Sequence, residues 1–238
     1  MCTVTYVPVE GGFVFTSNRD EDPKRSAHKI IEDTRGEVTI SFPKDEGAQG
    51  TWFAFSNKDQ FACILNGAFE PHIRKENYSM SRGLMALAFF DYENIDSFLD
   101  NFAFEGMEPF TLILYQQGDF RELKWDEIDL HCRVLSKDEI YVWSSCTLYT
   151  QDWWVDRTIA FKEFVARRQP NQEEIMAYHK TTLPFVSEAL QARLNSPKPL
   201  TNLPLETTSV SSILKSDLGY DFHFYRMDER YNYHKTTY

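Results

Sequence analysis

The sequence has few cysteines, and none of them are paired at short spacing. Four occur among 238 residues, at positions 2, 63, 132 and 146. Small disulfide scaffolds and zinc ribbons need a C-x-x-C pair or a tight, even framework, so both classes are excluded. The six histidines show neither an H-x-x-x-H pair nor the cysteine and histidine spacing of a zinc site. We therefore expect no dedicated metal site.

Basic residues and long apolar runs are also scarce. The chain has 25 Lys and Arg against 36 Asp and Glu, a formal net charge of −11. Nucleic acids and anionic membrane surfaces recruit clustered Lys and Arg, which this composition does not favour. No apolar stretch reaches the ~18 residues of a membrane helix, and the phosphate-binding patterns G-x-x-x-x-G-K-[ST] and G-x-G-x-x-G do not occur. We expect a small-molecule substrate or ligand, without nucleic acid, membrane insertion or a bound cofactor.

The start of the chain and its length bear on location and organisation. No basic segment precedes an apolar run, so we expect a cytoplasmic protein, in which reducing conditions keep thiols available. With 238 residues, 42% of them hydrophobic, the chain can bury one large core, and we expect a single domain over residues 1–238. The oligomeric state is left open.

What the sequence does have is a succession of strand patterns followed by helices. Valine, threonine and aromatic runs on either side of Gly11 and Gly12 predict an opening β-hairpin. Similar patterns predict strands or hairpins at residues 38–42, 51–66, 110–125, 130–135, 140–144, 205–214 and 220–227. Helical spacing and caps predict helices at 84–90, 95–102, 153–168, 172–181 and 185–194. Residues 22–36 are predicted to be a loop with at most short extended pieces, and the tail 228–238 to be mobile.

The opening hairpin carries groups that suggest chemistry. Cys2 starts the first strand, and a charged cluster at positions 18–21 ends the second. Because Cys is small, we expect Met1 to be removed, which gives Cys2 a free α-amino group. A model thiol has a pKa near ~8.5 and an α-amino group one near ~7.7 to 8.0, so the amine can take the thiol proton. Arg19 would lower the thiol pKa and Asp20 would orient the α-ammonium group. The alternative is a buried strand cysteine beside an ordinary polar turn.

This opening resembles a known family. The pattern is Met1-Cys2 and then, sixteen positions after the cysteine, Asn18-Arg19-Asp20-Glu21. It is typical of the NRDE family, also called the transport and Golgi organisation 2 family. The resemblance extends to Gly50-Thr51-Trp52-Phe53-Ala54-Phe55-Ser56-Asn57 and to Leu65-Asn66. More distantly, the chain is similar to the choloylglycine and penicillin V acylase group of N-terminal-nucleophile hydrolases, which also begin Met-Cys-Thr. This resemblance and the many hairpins together imply an α+β fold, a four-layer αββα sandwich of two antiparallel sheets flanked by helices.

The resemblance also implies site residues. An Asn at the end of the corresponding acylase strand belongs to the oxyanion hole, and Asn66 matches it; the alternative is a common Asn-Gly turn. Ser145 replaces the amide of a later Ser-Asn pair, so Ser145 and Asn18 are weaker candidates for substrate contact. Two acylase arginines have no counterpart, since Ser17 occupies one position and residues 207–212 contain no arginine.

Two functions remain as hypotheses. The first is a cysteine N-terminal-nucleophile amidohydrolase acting on a linear amide of a small molecule, with Cys2, Arg19, Asp20 and Asn66 as catalytic residues. The missing arginines argue against bile-salt or penicillin hydrolysis. The second is a haem-binding or haem-trafficking protein on the same fold without hydrolase activity, because some members of the resembled family are associated with haem movement. Cys2 or a histidine would then ligate the haem iron.

Overall fold

The regular structure is mostly strand and belongs to two units. A computed structural model describes residues 3–27, 29–147, 151–181 and 206–237. Contacts divide the chain into a first unit, Met1–Pro23 with Asp138–Tyr238, and a second unit, Lys24–Lys137. Each unit contains one antiparallel sheet and helices of its own. Within the described part of the chain, no helix has the length and apolar composition that crossing a membrane requires.

The elements confirm the predicted α+β class with two antiparallel sheets. The strands are β1 Thr3–Val9, β2 Gly12–Glu21, β3 Ile30–Arg35, β4 Val38–Pro43, β5 Phe53–Ser56, β6 Gln60–Asn66, β7 Phe110–Gln116, β8 Asp119–Trp125, β9 Leu130–Val134, β10 Tyr141–Ser144, β11 Glu206–Ser216, β12 Gly219–Arg226 and β13 Asn232–Thr237. The α-helices are α1 Arg82–Ala88, α2 Ile95–Asn101, α3 Gln151–Arg168 and α4 Gln172–Lys180. The sheet of the first unit has the strand order β10-β1-β2-β11-β12-β13, and that of the second unit runs from β3 to β9 in chain order.

The opening hairpin forms as predicted, and β2 lies at the centre of the first sheet. Its register pairs Val7 with Val14 and Val4 with Ser17. Gly12, the first residue of β2, faces the carbonyl oxygen of Lys215 in β11, and a Cβ there would lie 1.8 Å from that oxygen. Only a residue without a Cβ allows so close an approach of two backbones. The glycine therefore lets β11 join β2 at this end of the ladder.

Helices α3 and α4 pack on one side of the first sheet. The cluster of buried side chains that joins them to the sheet comprises Val7, Val14, Phe161, Phe164, Val165, Ile175 and Tyr178. Each such side chain contributes about 1.5–3 kcal/mol when it is fully buried. The start of α4 is fixed by a capping box, in which Asn171 and Glu174 each accept a hydrogen bond from the other's backbone N–H. The predicted cap at Asn171 is confirmed.

The second unit buries a group of aromatic rings against its sheet. On α2 the ring of Phe98 lies edge-on to Phe89, with 5.6 Å between centroids, and to Phe104 at 5.5 Å. Helix α2 begins at the predicted cap, where the Asn94 side chain accepts from the Ser97 N–H at 2.7 Å. Such a cap can be predicted from sequence because Asn94 and the N–H group from which it accepts are only three residues apart.

Two segments contain more strand than was predicted: residues 22–36 were expected to hold at most short extended pieces, and the prediction of a mobile tail was wrong. Residues 22–36 contain β3, in which Ile31 lies opposite Phe42. The tail expected to be mobile contains β13, in which Tyr233 lies opposite Phe224. Both are edge strands, which tolerate polar residues on their exposed sides and so lack the apolar alternation that marks a strand. The helix predicted at 185–194 lies outside the described residues.

One family motif has a packing explanation. Gly50, just before β5, lies against the first turn of α1, and a Cβ on it would be 2.5 Å from the carbonyl carbon of Gly83. The next residue, Thr51, donates its backbone N–H to the Gly83 carbonyl at 3.3 Å. Residue 50 is therefore limited to glycine by the closeness of helix α1.

We expect Gly50→Ala to lower the free energy of unfolding by about 1–3 kcal/mol, because its Cβ would meet backbone atoms that cannot rotate away. The control is Gly47→Ala, since Gly47 is exposed and its Cβ would meet no atom nearer than 3.4 Å. Urea unfolding of both variants and the wild type measures the difference. Equal midpoints for the two variants would contradict this account of Gly50.

Candidate functional site

One end of the first sheet is lined with polar side chains. There β1 and β11 begin and β2 and β10 end, as the antiparallel pairs Thr3 with Ser144 and Asp20 with Thr207 show. We call this region the polar end, and it consists of Thr3, Asn18, Arg19, Asp20, Ser144, Ser145, Thr207, Thr208 and Ser209. All of these except Thr207 are buried. Buried polar groups are stable only when they are hydrogen-bonded, so the partners of these residues define the region.

Asp20 is held by the strand beside it. Its side chain is 5% exposed, and the Thr207 hydroxyl donates to its Oδ1 at 2.7 Å. The ladder between β2 and β11 shifts register between Thr207 and Ser209, which leaves Thr208 as an extra residue whose hydroxyl donates to the Arg19 carbonyl at 3.0 Å. Such a bulge redirects the side chains next to it. The carboxylate thus has a fixed place at the end of β2.

Strand alternation divides the predicted tetrad between two faces. Arg19 and Glu21 are two positions apart and share a face, and their side chains approach to 3.8 Å between Nη2 and Oε2. Asn18 and Asp20 point to the opposite face. The Arg19 side chain is only 4% exposed, so its positive charge interacts with other protein groups and hardly with solvent. Arg19 and Asp20 therefore leave β2 in opposite directions.

Asn18 connects the sheet to helix α4. Its Nδ2 donates to the His179 carbonyl at 3.0 Å, and its Oδ1 bonds the His179 Nδ1. Because the amide oxygen can only accept, Nδ1 carries the ring proton. The remaining ring nitrogen, Nε2, then accepts from the Thr5 hydroxyl at 2.8 Å. Both polar atoms of the Asn18 amide are thus used in fixing α4 to β1 and β2.

The ring of His179 is held neutral. Burial, together with the nearby positive charge of Arg157, lowers the pKa of His179 to about 3. A small cavity adjoins the ring and is lined by Thr3, Thr5, Asn18, Val142, Arg157, Phe161, Tyr178 and His179. Its volume of about 10 Å³ has room for a single water molecule at most. This cavity cannot hold a substrate.

Arg157 is a basic residue of the polar end that the sequence did not predict. From α3 it donates through Nη1 to the Thr3 hydroxyl, and its guanidinium lies over the Trp153 ring at 4.4 Å. The helix was predicted as packing only. An arginine four positions after a tryptophan in a predicted helix is the signal that could have found it, since guanidinium groups stack on such rings.

Arg226 is a second basic residue at this end of the sheet. Arg226 is on β12, opposite Ser209 of β11. On its other side, Ser209 lies opposite Arg19 of β2. Arg226 is 6% exposed and pairs with Asp228 at 2.5 Å. The sequence did not single it out, because its position depends on the pairing of β12 with β11.

The remaining predicted residues lie as follows. Ser145, directly after β10, is buried, and its hydroxyl bonds that of Thr147 at 3.0 Å. Asn66 is the last residue of β6 in the second unit, opposite Phe110. Cys2 lies outside the described residues. The structure therefore brings Asn18, Arg19, Asp20 and Ser145 to one end of one sheet.

Comparisons with known proteins agree on the fold. The family model for Transport and Golgi organisation 2 matches residues 1–213. A variant of conjugated bile acid hydrolase from Clostridium perfringens, with the cysteine at its second position replaced by alanine, has a TM-score of 0.52 at 8% identity, covering 99% of this chain and 92% of that one. Another variant of that enzyme, with an arginine replaced by leucine, has a TM-score of 0.53 at 8% identity, covering 98% and 92%.

A further solved structure is an N-acylethanolamine-hydrolyzing acid amidase ortholog from Caenorhabditis elegans, with a TM-score of 0.49 at 11% identity, covering 89% of this chain and 92% of that one. A search of curated protein sequences gave no significant match. At 8% identity the likeness to the bile acid hydrolase variants concerns the fold alone. The predicted hydrolase-like fold is confirmed.

The buried His179 predicts acid sensitivity. Its pKa is about 3 in the folded chain and ~6.5 in an unfolded one. Between these values the unfolded state binds a proton that the folded state does not, so stability from this group is complete above pH ~6.5 and falls as the pH drops, by up to ~1.4 kcal/mol per pH unit. We expect His179→Gln to unfold with a shallower pH dependence than the wild type between pH 4 and 6.5.

Urea unfolding at a series of pH values measures this dependence, and slopes are compared because the substitution also changes stability itself. Thr16→Val supplies the control, because it removes a buried hydroxyl contact to Ser212 and no titratable group, and it should retain the wild-type slope in this range. A wild-type slope in His179→Gln would show that the ring is not held neutral by burial.

Proposed function

Since the chain belongs to the transport and Golgi organisation 2 family, as its opening motif predicted, we propose that it is a cysteine amidohydrolase. Its nucleophile is Cys2, exposed by removal of Met1, and its substrate is a linear, non-peptide amide of a small molecule. The observation that carries the proposal is the Asp20 carboxylate, buried and held by Thr207 at 2.7 Å at the end of the sheet where β1 begins. In the sequence, Cys2 directly precedes Thr3, the first residue of β1.

The fold adds support. The bile acid hydrolase variants share it over almost the whole chain, and one of them has been altered at a cysteine in its second position. This chain also has cysteine at its second position. The present chain has Ser17 and Ser145 where the resemblance implied arginine and an amide, so we propose a different substrate from conjugated bile acids.

The nucleophile needs a base and a positive environment. The α-amino group of Cys2 takes the thiol proton, and the resulting α-ammonium donates a charge-assisted hydrogen bond to Asp20. Two arginines supply positive charge: Arg19 on β2, and Arg157, which bonds the hydroxyl of Thr3. A cation near a thiol lowers its pKa and raises the thiolate fraction at neutral pH.

Hydrolysis then proceeds in two stages. The thiolate attacks the amide carbonyl, and hydrogen-bond donors stabilise the negative oxygen that forms. The α-ammonium returns its proton to the leaving amine as the C–N bond breaks, giving a thioester on Cys2. Water, deprotonated by the α-amino group, attacks that thioester, and the C–S bond breaks to release a carboxylic acid and restore the thiol.

Haem binding is the alternative from the sequence. It requires an axial ligand and an apolar slot. Among the described histidines, His179 uses both ring nitrogens in hydrogen bonds, and the other four each contact a carboxylate: His72 with Glu108, His131 with Asp126, and both His223 and His234 with Asp221. No contact among the described residues favours haem, so we do not propose it.

The four cysteines allow the nucleophile to be tested within one molecule. We expect Cys2 to be alkylated fast below pH 7, and Met1 to be missing from the same N-terminal peptide. Cys63 is buried and should not react in the folded chain, while desolvation raises the pKa of the exposed Cys132, which should react only at higher pH. Mass spectrometry of iodoacetamide-treated protein over a pH series gives all the rates.

Retention of Met1, or a Cys2 that reacts no faster than Cys132 at pH 6.5, would end the hydrolase proposal. Ligand binding on this fold, including haem binding, would then become the leading account. A fast Cys2 on a trimmed chain would justify a screen of N-acyl p-nitroanilides with acyl groups of different length.

Asp20→Asn is expected to lower kcat/KM for an amide found in that screen on the order of 10²-fold, because the neutral asparagine side chain no longer attracts the α-ammonium.

Thr207→Val should lower kcat about tenfold with little change in KM, since the lost hydroxyl only positions Asp20. Thr207→Ser should restore the rate. The matched control is Thr16→Val, which removes a cross-strand hydroxyl contact to Ser212 on the same pair of strands. Normal rates in Asp20→Asn would remove Asp20 from the site.

A further inference from the structure

We propose that Asp221, His223 and His234 bind one Zn²⁺ ion on the first sheet. Among the described residues they are the one group of three metal-ligating side chains whose ligand atoms all lie within 4.8 Å of one another. Sequence spacing did not indicate such a site, because the two histidines are eleven positions apart. The pairing of β12 with β13 brings them together.

The register places the three side chains on one face. His223 lies directly opposite His234, and Asp221 precedes His223 by two positions, so all three point to the same side. The two imidazole rings are 4.3 Å apart between centroids. Phe222 and Phe224 alternate with them, point to the other side and are fully buried, which fixes the direction of the polar residues.

The carboxylate of Asp221 contacts both imidazoles. Its Oδ1 is 2.5 Å from the Nε2 of His234, and its Oδ2 is 3.4 Å from the Nε2 of His223. A tetrahedral zinc ion with bonds of about 2.0–2.2 Å needs ligand atoms about 3.3–3.5 Å apart. The distance to His223 lies within that range, and the distance to His234 is shorter. Small side-chain rotations therefore suffice to seat the ion.

The site is fixed by a hydrogen bond from helix α4 and is open to solvent. Gln172 on α4 donates from Nε2 to the backbone carbonyl of Asp221 at 3.1 Å. A cavity of about 440 Å³ adjoins the site, lined by both histidines and by Glu173, Met176 and Lys180 of α4. The side chains of Asp221, His223 and His234 are 33%, 28% and 57% exposed. Three protein ligands with solvent access leave a fourth coordination position for water or a small anion.

The choice of metal follows from the ligand set. Two imidazole nitrogens and one carboxylate oxygen suit borderline divalent ions such as Zn²⁺, and they are poor ligands for Mg²⁺ or Ca²⁺, which prefer oxygen. An ordinary ion-pair cluster is the competing explanation of the same contacts. The exposed pair of His131 and Asp126, at 2.8 Å, provides the comparison, since it has a histidine and a carboxylate but belongs to no group of three in the described residues.

Titration of the untagged, thiol-alkylated protein with Zn²⁺ against a chromogenic zinc chelator tests the proposal. We expect one bound ion, and we expect His223→Gln, His234→Gln and Asp221→Asn each to weaken binding about tenfold or more. His131→Gln should bind as the wild type does. Co²⁺ in place of Zn²⁺ should give the visible absorption of a tetrahedral site, and His223→Gln should lose it.

Failure of the wild-type protein to bind one equivalent of Zn²⁺ would overturn the proposal, and this result requires no variant to fold. Equal weakening by His131→Gln would also overturn it, because binding would then be a property of any surface histidine and carboxylate pair. Circular dichroism verifies that each variant retains the fold.

Discussion

The first unit depends on one constraint, which is that the Asn18 amide and the Asp20 carboxylate, both buried at the polar end, need hydrogen-bonding partners. A buried acceptor or donor left unpaired costs about 1–3 kcal/mol, a large fraction of the stability of an ordinary domain. Asp20 finds its partner in Thr207, 187 positions away in sequence, and Asn18 finds His179, 161 positions away. These bonds fix β11 and α4 on the opening hairpin. The same contacts that stabilise the unit therefore set the geometry of the proposed site.

This arrangement explains why the proposed nucleophile needs little machinery of its own. An N-terminal cysteine carries its base in the same residue, so the protein has only to hold an anion and a cation near it. Buried groups with fixed partners do this better than mobile surface charges, because no reorganisation is needed when charge develops. Asp20 is fixed by Thr207, and Arg157 is fixed between Trp153 and Thr3.

The sequence predicted those features that depend on near neighbours. The hairpin at Gly11 and Gly12 and the caps at Asn94 and Asn171 are signals within about four residues, and all three are present. Features that depend on strand order were out of reach. The link from Arg157 to Thr3 needs the docking of α3, and the meeting of His223 with His234 needs the register of β12 and β13. Edge strands were missed because exposure on one side removes their apolar alternation.

The family tetrad shows how a motif can mislead when its local structure is ignored. Four consecutive residues in a strand cannot all face one site, since alternate side chains point to opposite faces. Here Asn18 is occupied with His179, which fixes α4, and Asp20 on the same face is occupied with Thr207. Arg19 and Glu21 approach each other on the other face. Two members of the tetrad thus connect β2 to distant segments, and the other two approach each other on the opposite face.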